Sequence, residues 1–483
     1  MTANQSSAAA YVRVAPGARY FQTETGEPFL LIGHNDALPW PNLSLLRCAA
    51  TPDAAAAVDA HLRMLAAHGV TVLRVMLEDN ADAQHDWLWE DPVGYPLAGA
   101  VQIWDDLIAL CERHGLRLFV SFWDTFHLCQ HWDRHPYGRV GSGFDGPASF
   151  CTSPTARAAQ RERIRFFVDR WGGSPAIFAY DLFNEINAYW GGTPDDQAQW
   201  VGEMADFVRE RERVRWGKCH LLTASLFGGT PGDAYARSIL CHPKLDFAST
   251  HVYASGRIDN PANTIDCALA MRDAVRYAFE NMPCARPYTD SEHGPIHLFL
   301  DLKRQMSVAL DNRYYHNMSW AHLATGGAGG AMRWPFRDPH VLTRGMHDTQ
   351  RAMARFLSAL DWLTFAPHPI DHRLQVIAWP DSADAPATIA IPVVPFGCAD
   401  GRQALIWLLR DLRRVRAKVT LPPAQLLLPA GALSPGNYST TFWDTAQGEP
   451  TGTYDMAIKE GSTILIPLPP LGPDLALTIR PVV

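Results

Sequence analysis

Two short runs place a glutamate where an apolar stretch gives way to polar residues. One reads Leu182-Phe183-Asn184-Glu185-Ile186-Asn187 and the other Asp290-Ser291-Glu292-His293-Gly294. A carboxylate at such a junction is partly desolvated, and desolvation raises its pKa. Two carboxylates facing each other can cleave a glycosidic bond. In the retaining form they lie about 5–5.5 Å apart, so that one attacks the anomeric carbon while the other protonates the leaving oxygen. That chemistry needs no metal and no cofactor, and none is expected. Taken singly, either glutamate could instead be an ordinary carboxylate near a helix start, interacting with the helix dipole.

Such residues must be positioned by a rigid frame, and the sequence supplies its rhythm. Short apolar runs alternate with helix-like segments: Leu30–Gly33, Val70–Leu77, Leu116–Phe122, Ala176–Phe183, His220–Ser225, Asp246–Tyr253, Pro287–Asp290 and Gly330–Trp334. This alternation predicts parallel strands covered by helices. Eight units favour closure into a (β/α)8 TIM barrel over an open doubly wound sheet, and no Gly-rich phosphate loop follows the first strand. Catalytic residues of such barrels come from the C-terminal ends of the strands. Glu185 then ends the fourth strand and Glu292 the seventh.

The expected organisation is an N-terminal β-hairpin over 1–29, a barrel over 30–365 and an all-β sandwich over 366–483. Past residue 365 the helical periodicity disappears. Strand-like runs at 373–379, 387–391, 404–409, 417–421, 463–467 and 476–479 are punctuated by Pro and Gly.

Read in strand order, the polar residues resemble the retaining clan of (β/α)8 glycoside hydrolases, family 5 in particular. The matching pieces are Arg74 in the second strand, Asn184-Glu185 after the fourth, His251 and Tyr253 in the sixth, Glu292 in the seventh and Trp334 after the eighth. The resemblance implies a glycosidase with Glu185 as acid/base and Glu292 as nucleophile. It implies that Asn184 bonds the sugar 2-hydroxyl, that Arg74 and Tyr253 hydrogen-bond the nucleophile, that His251 lines the site near the acid/base, and that Trp334 floors the cleaved subsite. His251 and Tyr253 alternate along a strand and so face the same way. A satisfied interior pair, a structural ion pair at Arg74 and a core role for Trp334 are the plain alternatives.

The third strand departs from the family pattern, with Phe122-Trp123-Asp124-Thr125-Phe126-His127. Trp123, Asp124 and His127 are candidate sugar contacts, as are Asp36 and Trp40 after the first strand. The long segment 127–153 would shape the cleft. His127, His131 and His135 recur every four residues, but Pro136, Gly138 and the lack of a carboxylate motif speak against a metal site. The segment 436–448 resembles the terminal β-sandwich behind several barrels of this clan, which suggests a buttress.

Composition narrows the partners. A formal charge of −8 argues against nucleic acid and anionic membranes. Sixteen Trp, 14 Tyr and 21 Phe suit both core packing and the apolar faces of sugar rings. Nine scattered cysteines contain no CxxC pair, and the start of the chain has no basic and apolar leader. Reduced thiols in a cytoplasm are the simplest expectation, or secretion if a leader has been removed. The resemblance implies β-glycosidic bonds of oligo- or polysaccharides such as β-1,4-glucans or mannans, and the lack of a leader favours a small oligosaccharide or glycoside. Exo-action on an unusual sugar such as a furanoside or deoxy sugar, and a non-catalytic sugar-binding barrel, remain open.

Overall fold

The computed structural model describes residues 10–17, 19–48, 51–78, 88–139, 142–253, 263–282, 285–294, 307–334, 341–378, 391–414 and 420–482. Four five-residue runs, Leu31–Asn35, Val72–Met76, Arg117–Ser121 and Ile177–Asp181, are buried at every position. Strands that bury both faces need apolar residues throughout, which explains their unbroken rather than alternating pattern. They pair in parallel in chain order and continue to Leu221–Thr223. Leu226–Phe227 carries the fifth strand onward to pair with the sixth, Ala248–Tyr253, which pairs with the seventh, Tyr288–Gly294.

The ring closes through Gly329–Gly330, paired with Leu31–Ile32, and through a bridge between His293 and Arg333. Closure depends on glycine. A Cβ at Gly329 would lie 2.2 Å from the Leu31 carbonyl oxygen, and one at Gly330 would lie 2.0 Å from Asp290 Oδ1. This is the closed (β/α)8 barrel that the alternation predicts.

Local signals set the helix ends. Pro52–Ala67, Pro154–Trp171 and Pro194–Trp216 begin on proline, whose missing N–H would be unpaired there anyway. Thr193 and Asp196 form a capping box, and Gly115 and Gly217 close their helices in the left-handed conformation. The fifth connection differs from the expected eight equal pairs. It holds only the short turns Asp233–Tyr235 and Ala236–Leu240. Gly228, Gly229, Pro231 and Gly232 precede it and forbid a longer helix.

The barrel floor is aromatic. Phe178 meets Phe21 at 5.3 Å, Phe29 at 5.7 Å, Phe119 at 5.9 Å and Phe247 at 5.8 Å. Phe21 and Phe29 come from the N-terminal segment, which has three short antiparallel strands (Val12–Val14, Phe21–Thr23 and Pro28–Phe29) where a hairpin is expected.

The C-terminal part is a two-sheet β structure. A six-stranded antiparallel sheet runs in the order His368–Pro369, Val393–Ala399, Ala404–Arg410, Asp474–Pro481, Gly436–Asp444, Glu449–Ile458. A three-stranded sheet of Gln375–Ala378, Ala424–Leu428 and Ile464–Pro467 covers it. The runs at 387–390 and 417–419 lie outside the described residues. Every residue of Ala404–Arg410 is buried, because its two faces serve two cores. Leu405, Trp407 and Leu409 join the barrel's apolar cluster, while Ala404, Ile406 and Leu408 pack inside the sandwich. Phe356 on the last barrel helix meets Trp443 at 4.9 Å, and His316 bonds Asp474 at 2.6 Å. Among the described residues no helix is long and apolar enough to cross a membrane.

Phe178 touches four rings at once, so Phe178→Ala opens a cavity that rigid strands cannot collapse. The expected cost is about 3–5 kcal/mol, read as a lower denaturant midpoint in equilibrium unfolding.

Candidate active site

The polar end of the barrel is organised around Arg74. Its side chain is fully buried, and its two terminal nitrogens reach residues from four strands. Nη1 donates to Glu292 Oε1 at 2.6 Å and to Asn35 Oδ1 at 3.4 Å. Nη2 donates to Asn184 Oδ1 at 2.6 Å, Asp181 Oδ2 at 3.1 Å and Ser121 Oγ at 3.3 Å. Inward positions of a strand alternate, so these contacts follow once the strand registers are set.

Glu292 lies within the seventh strand, paired across from His251. Besides Arg74, its other oxygen accepts from the Tyr253 hydroxyl at 2.5 Å. Burial pushes its pKa up, while His251, Arg74 and Tyr253 pull it down.

Glu185 follows the fourth strand in a left-handed conformation, φ 55°. The backbone is pinned there. The Thr125 hydroxyl donates to the carbonyls of Asn184 (2.7 Å) and Glu185 (2.9 Å), and the Glu185 N–H donates to Ser225 Oγ at 3.2 Å. Oε1 lies 2.5 Å from His251 Nδ1, and Oε2 is buried with no protein partner. Burial, then the Asp124 carboxylate, raise the Glu185 pKa to about 8, with Arg74 opposing. Burial lowers that of His251 to about 4, so the ring is neutral near neutral pH. Its Nε2 meets Ser291 Oγ at 3.0 Å, which in turn meets Ser249 Oγ at 2.6 Å. Oxygens of Glu185 and Glu292 lie within 4.8 Å of each other.

The structure therefore brings Glu185, Glu292, Asn184, Arg74, His251 and Tyr253 together. Asp124 joins them indirectly, accepting from Asn184 Nδ2 at 2.8 Å while capping the helix Thr125–Gln130. Trp334 is half-buried and meets the buried Trp40 edge to face at 4.7 Å.

Three candidate sugar contacts are placed elsewhere. Trp123 is core, packed on Phe122, Phe150 and Trp200. It follows the third strand's end, where the chain leaves the barrel axis and enters the helix layer. His127 is carried by the short helix into a buried group with Glu78 and His135. Asp36 turns away from the barrel axis to His61 on the first helix, at 3.1 Å. Asn35, one residue earlier, points inward instead, donating to the carbonyls of Ser291 and Met332.

Asn35, Ser121, Asp181 and Ser225 are the residues that sequence reading missed. Asp181 closes an otherwise apolar strand, and a lone acid in such a run is the signal that could have found it.

Arg74→Met leaves Glu292 and Asp181 buried beside no cation. Breaking a buried pair costs about 3–5 kcal/mol, and guanidinium geometry means that Arg74→Lys restores little of it. Equilibrium unfolding of both variants measures this.

No protein-family model matches the chain. It is 27% identical over 170 residues to a probable mannan endo-1,4-beta-mannosidase A-1 of Aspergillus terreus, a match covering 33% of this chain and 42% of that protein. It is 26% identical over 263 residues to mannan endo-1,4-beta-mannosidase 8 of Oryza sativa, covering 48% of this chain and 65% of that one. The chain thus spans less than two thirds of these curated relatives. Among solved structures, it superposes on a glycoside hydrolase family 5 protein from Bacteroides vulgatus with a TM-score of 0.58 at 12% identity, covering 98% of this chain and 92% of that one. In sequence the chain is similar to mannan endo-1,4-beta-mannosidases, and in fold it is glycoside hydrolase family 5-like.

Proposed function

We propose that this chain hydrolyses β-glycosidic bonds with retention of configuration, with Glu185 as acid/base and Glu292 as nucleophile. The observation that carries the reading is that one oxygen of Glu185 and one of Glu292 lie within 4.8 Å of each other, with no room for a water held between two distant carboxylates. Retaining glycosidases hold their carboxyl groups about 5–5.5 Å apart, whereas inverting enzymes need about 6.5–9.5 Å to admit a water.

The unequal surroundings of the pair fit unequal roles. Glu292 receives two strong hydrogen bonds, from Arg74 and Tyr253, which favour its ionised form and aim it. Glu185 receives no charged donor and is protonated at neutral pH. A His251 Nδ1–H donating to Oε1, with Nε2 accepting from Ser291, leaves Oε2 to carry the acid proton towards the substrate. Glu292 then attacks the anomeric carbon as Glu185 protonates the departing oxygen, giving a glycosyl ester and a free alcohol. In the second step Glu185 takes a proton from water, which displaces Glu292 from the same carbon. Asn184, fixed by Arg74 and Asp124, is set beside this pair to bond the sugar 2-hydroxyl, and Trp40 with Trp334 supplies an apolar face for the ring.

β-Mannosides are the first substrates to try, since the named relatives are mannan endo-1,4-beta-mannosidases.

The test is turnover of aryl β-glycosides (mannoside, glucoside, galactoside, xyloside, fucoside, arabinofuranoside) and of manno-oligosaccharides. The first-formed anomer is followed by NMR. The β anomer is expected from a β-pyranoside, and first-formed α anomer would refute retention. Glu292→Ala is expected to bring turnover to background. Glu185→Ala should cost about 10²–10⁴-fold on substrates with poor leaving groups and far less on activated aryl glycosides. Activity of the unliganded enzyme should fall as pH rises through about 8, where Glu185 loses the acid proton. An alkaline limb unchanged in Glu185→Gln would assign that titration to another group.

A further inference from the structure

We propose that His34, Asp36 and His61 form a transition-metal site, suited to Zn²⁺, that fastens the first barrel helix to the first barrel strand. Three His/Asp/Glu groups with converging ligand atoms occur among the described residues. Glu185, His251 and Glu292 belong to the sugar site, where the Arg74 cation lies 2.6 Å from Glu292. In the second group, Glu78 Oε1 is already bonded to Arg163 at 2.7 Å and to His135 Nε2 at 2.9 Å. His135 Nδ1 accepts from the Tyr137 N–H, so its proton sits on Nε2, directed at Glu78. A protonated nitrogen is no ligand, and a guanidinium occupies the place of the metal charge. That group is a filled ion-pair network.

The third group holds no guanidinium, and although His61 Nε2–H donates to Asp36 Oδ2, no backbone N–H fixes its tautomer as Tyr137 does for His135, so the proton can move to Nδ1 and free Nε2 for a metal. Asp36 Oδ2 lies 3.1 Å from His61 Nε2 and 3.8 Å from His34 Nε2, and one ligand atom from each of the three residues lies within 4.8 Å of the others. Zinc bonds of about 2.0–2.2 Å in a tetrahedron put ligand atoms about 3.3–3.6 Å apart, so small side-chain rotations suffice. Asp36 is buried, and its other oxygen accepts from the Ala37 N–H.

His34 is the second pointer. It is 3% exposed, its Nδ1 has no partner, and its Nε2 is beyond hydrogen-bond reach of Asp36. It lies between the rings of His61 and His347, each 5.8 Å away. His61 is the least buried of the three and offers the ion a way in, with water as the fourth ligand. Two histidines and one carboxylate with an open position are a set that first-row metals accept.

The test titrates chelator-treated full-length protein with Zn²⁺ against a chromophoric competitor. Wild type should bind one equivalent more tightly than the rest, and His61→Ala and Asp36→Asn should each weaken that equivalent at least tenfold. His127→Gln, in the second group, should leave it unchanged. Near-UV circular dichroism selects variants that remain folded. Co²⁺ in the same protein should give tetrahedral visible bands without a thiolate charge-transfer band. Absence of tight binding in wild type overturns the proposal. So does binding equal in wild type and a folded His61 or Asp36 variant, loss in His127→Gln alone, or a thiolate band.

Discussion

A single buried guanidinium sets the terms for the rest of the barrel mouth. Moving a cation such as Arg74 out of water costs several kcal/mol, which is recovered only if its donors are met with good geometry. Here Glu292, Asn35, Asn184, Asp181 and Ser121 meet the two terminal nitrogens, from the first, third, fourth and seventh strands or just beyond, while the buried Nε–H has no partner. A register slip in any of these strands would withdraw one partner and leave charge unpaired. The same cation also distinguishes the two glutamates. It hydrogen-bonds Glu292 but acts on Glu185 only through space, against burial and the Asp124 carboxylate. Two chemically identical side chains thus acquire different hydrogen-bond surroundings from one asymmetric placement.

The second constraint is backbone conformation. A non-glycine residue at positive φ costs about 1–3 kcal/mol and persists only where its surroundings over-determine it. Glu185 is fixed by Thr125 from the third connection and Ser225 from the fifth strand, each holding main-chain atoms. The twist turns its side chain to His251 rather than continuing the strand.

Much of this is legible in the sequence. Parallel strands buried on both faces announce themselves as unbroken apolar runs, and glutamates at their ends stand out by contrast. The misses share a cause: alternation beyond a strand end is not fixed by sequence. Asp36 and Asn35 are neighbours with equal chemical promise, yet Asn35 faces the axis and Asp36 the first helix. Trp123 is a candidate sugar contact in the sequence, but its environment is set by Phe150 and Trp200, distant in sequence. Asp181 was hidden in a strand because its partners Arg74, Ser121 and Ser225 lie on three other segments. The missing fifth helix was visible in Gly228-Gly229-Thr230-Pro231-Gly232, which regular counting passed over.

The distribution of broken local rules locates the site independently of any resemblance. Among the described residues, the non-glycine residues at positive φ are Glu185 and Ala331. Both follow barrel strands at the same end, and the Ala331 carbonyl is held by the Tyr315 hydroxyl at 3.0 Å. Arg74, Asp181, Glu185 and Glu292 are buried at that end too, while the opposite end is closed by five phenylalanines. A fold gains nothing in stability from concentrating strain and desolvated charge in one place. Sequences that violate local preferences do so where function requires it and compensate elsewhere. Here the aromatic floor and the doubly buried strand Ala404–Arg410 provide rigid apolar packing away from the carboxylates. That packing holds a strained, charged mouth in one conformation, which is the condition for two glutamates to stay a bond's reach apart.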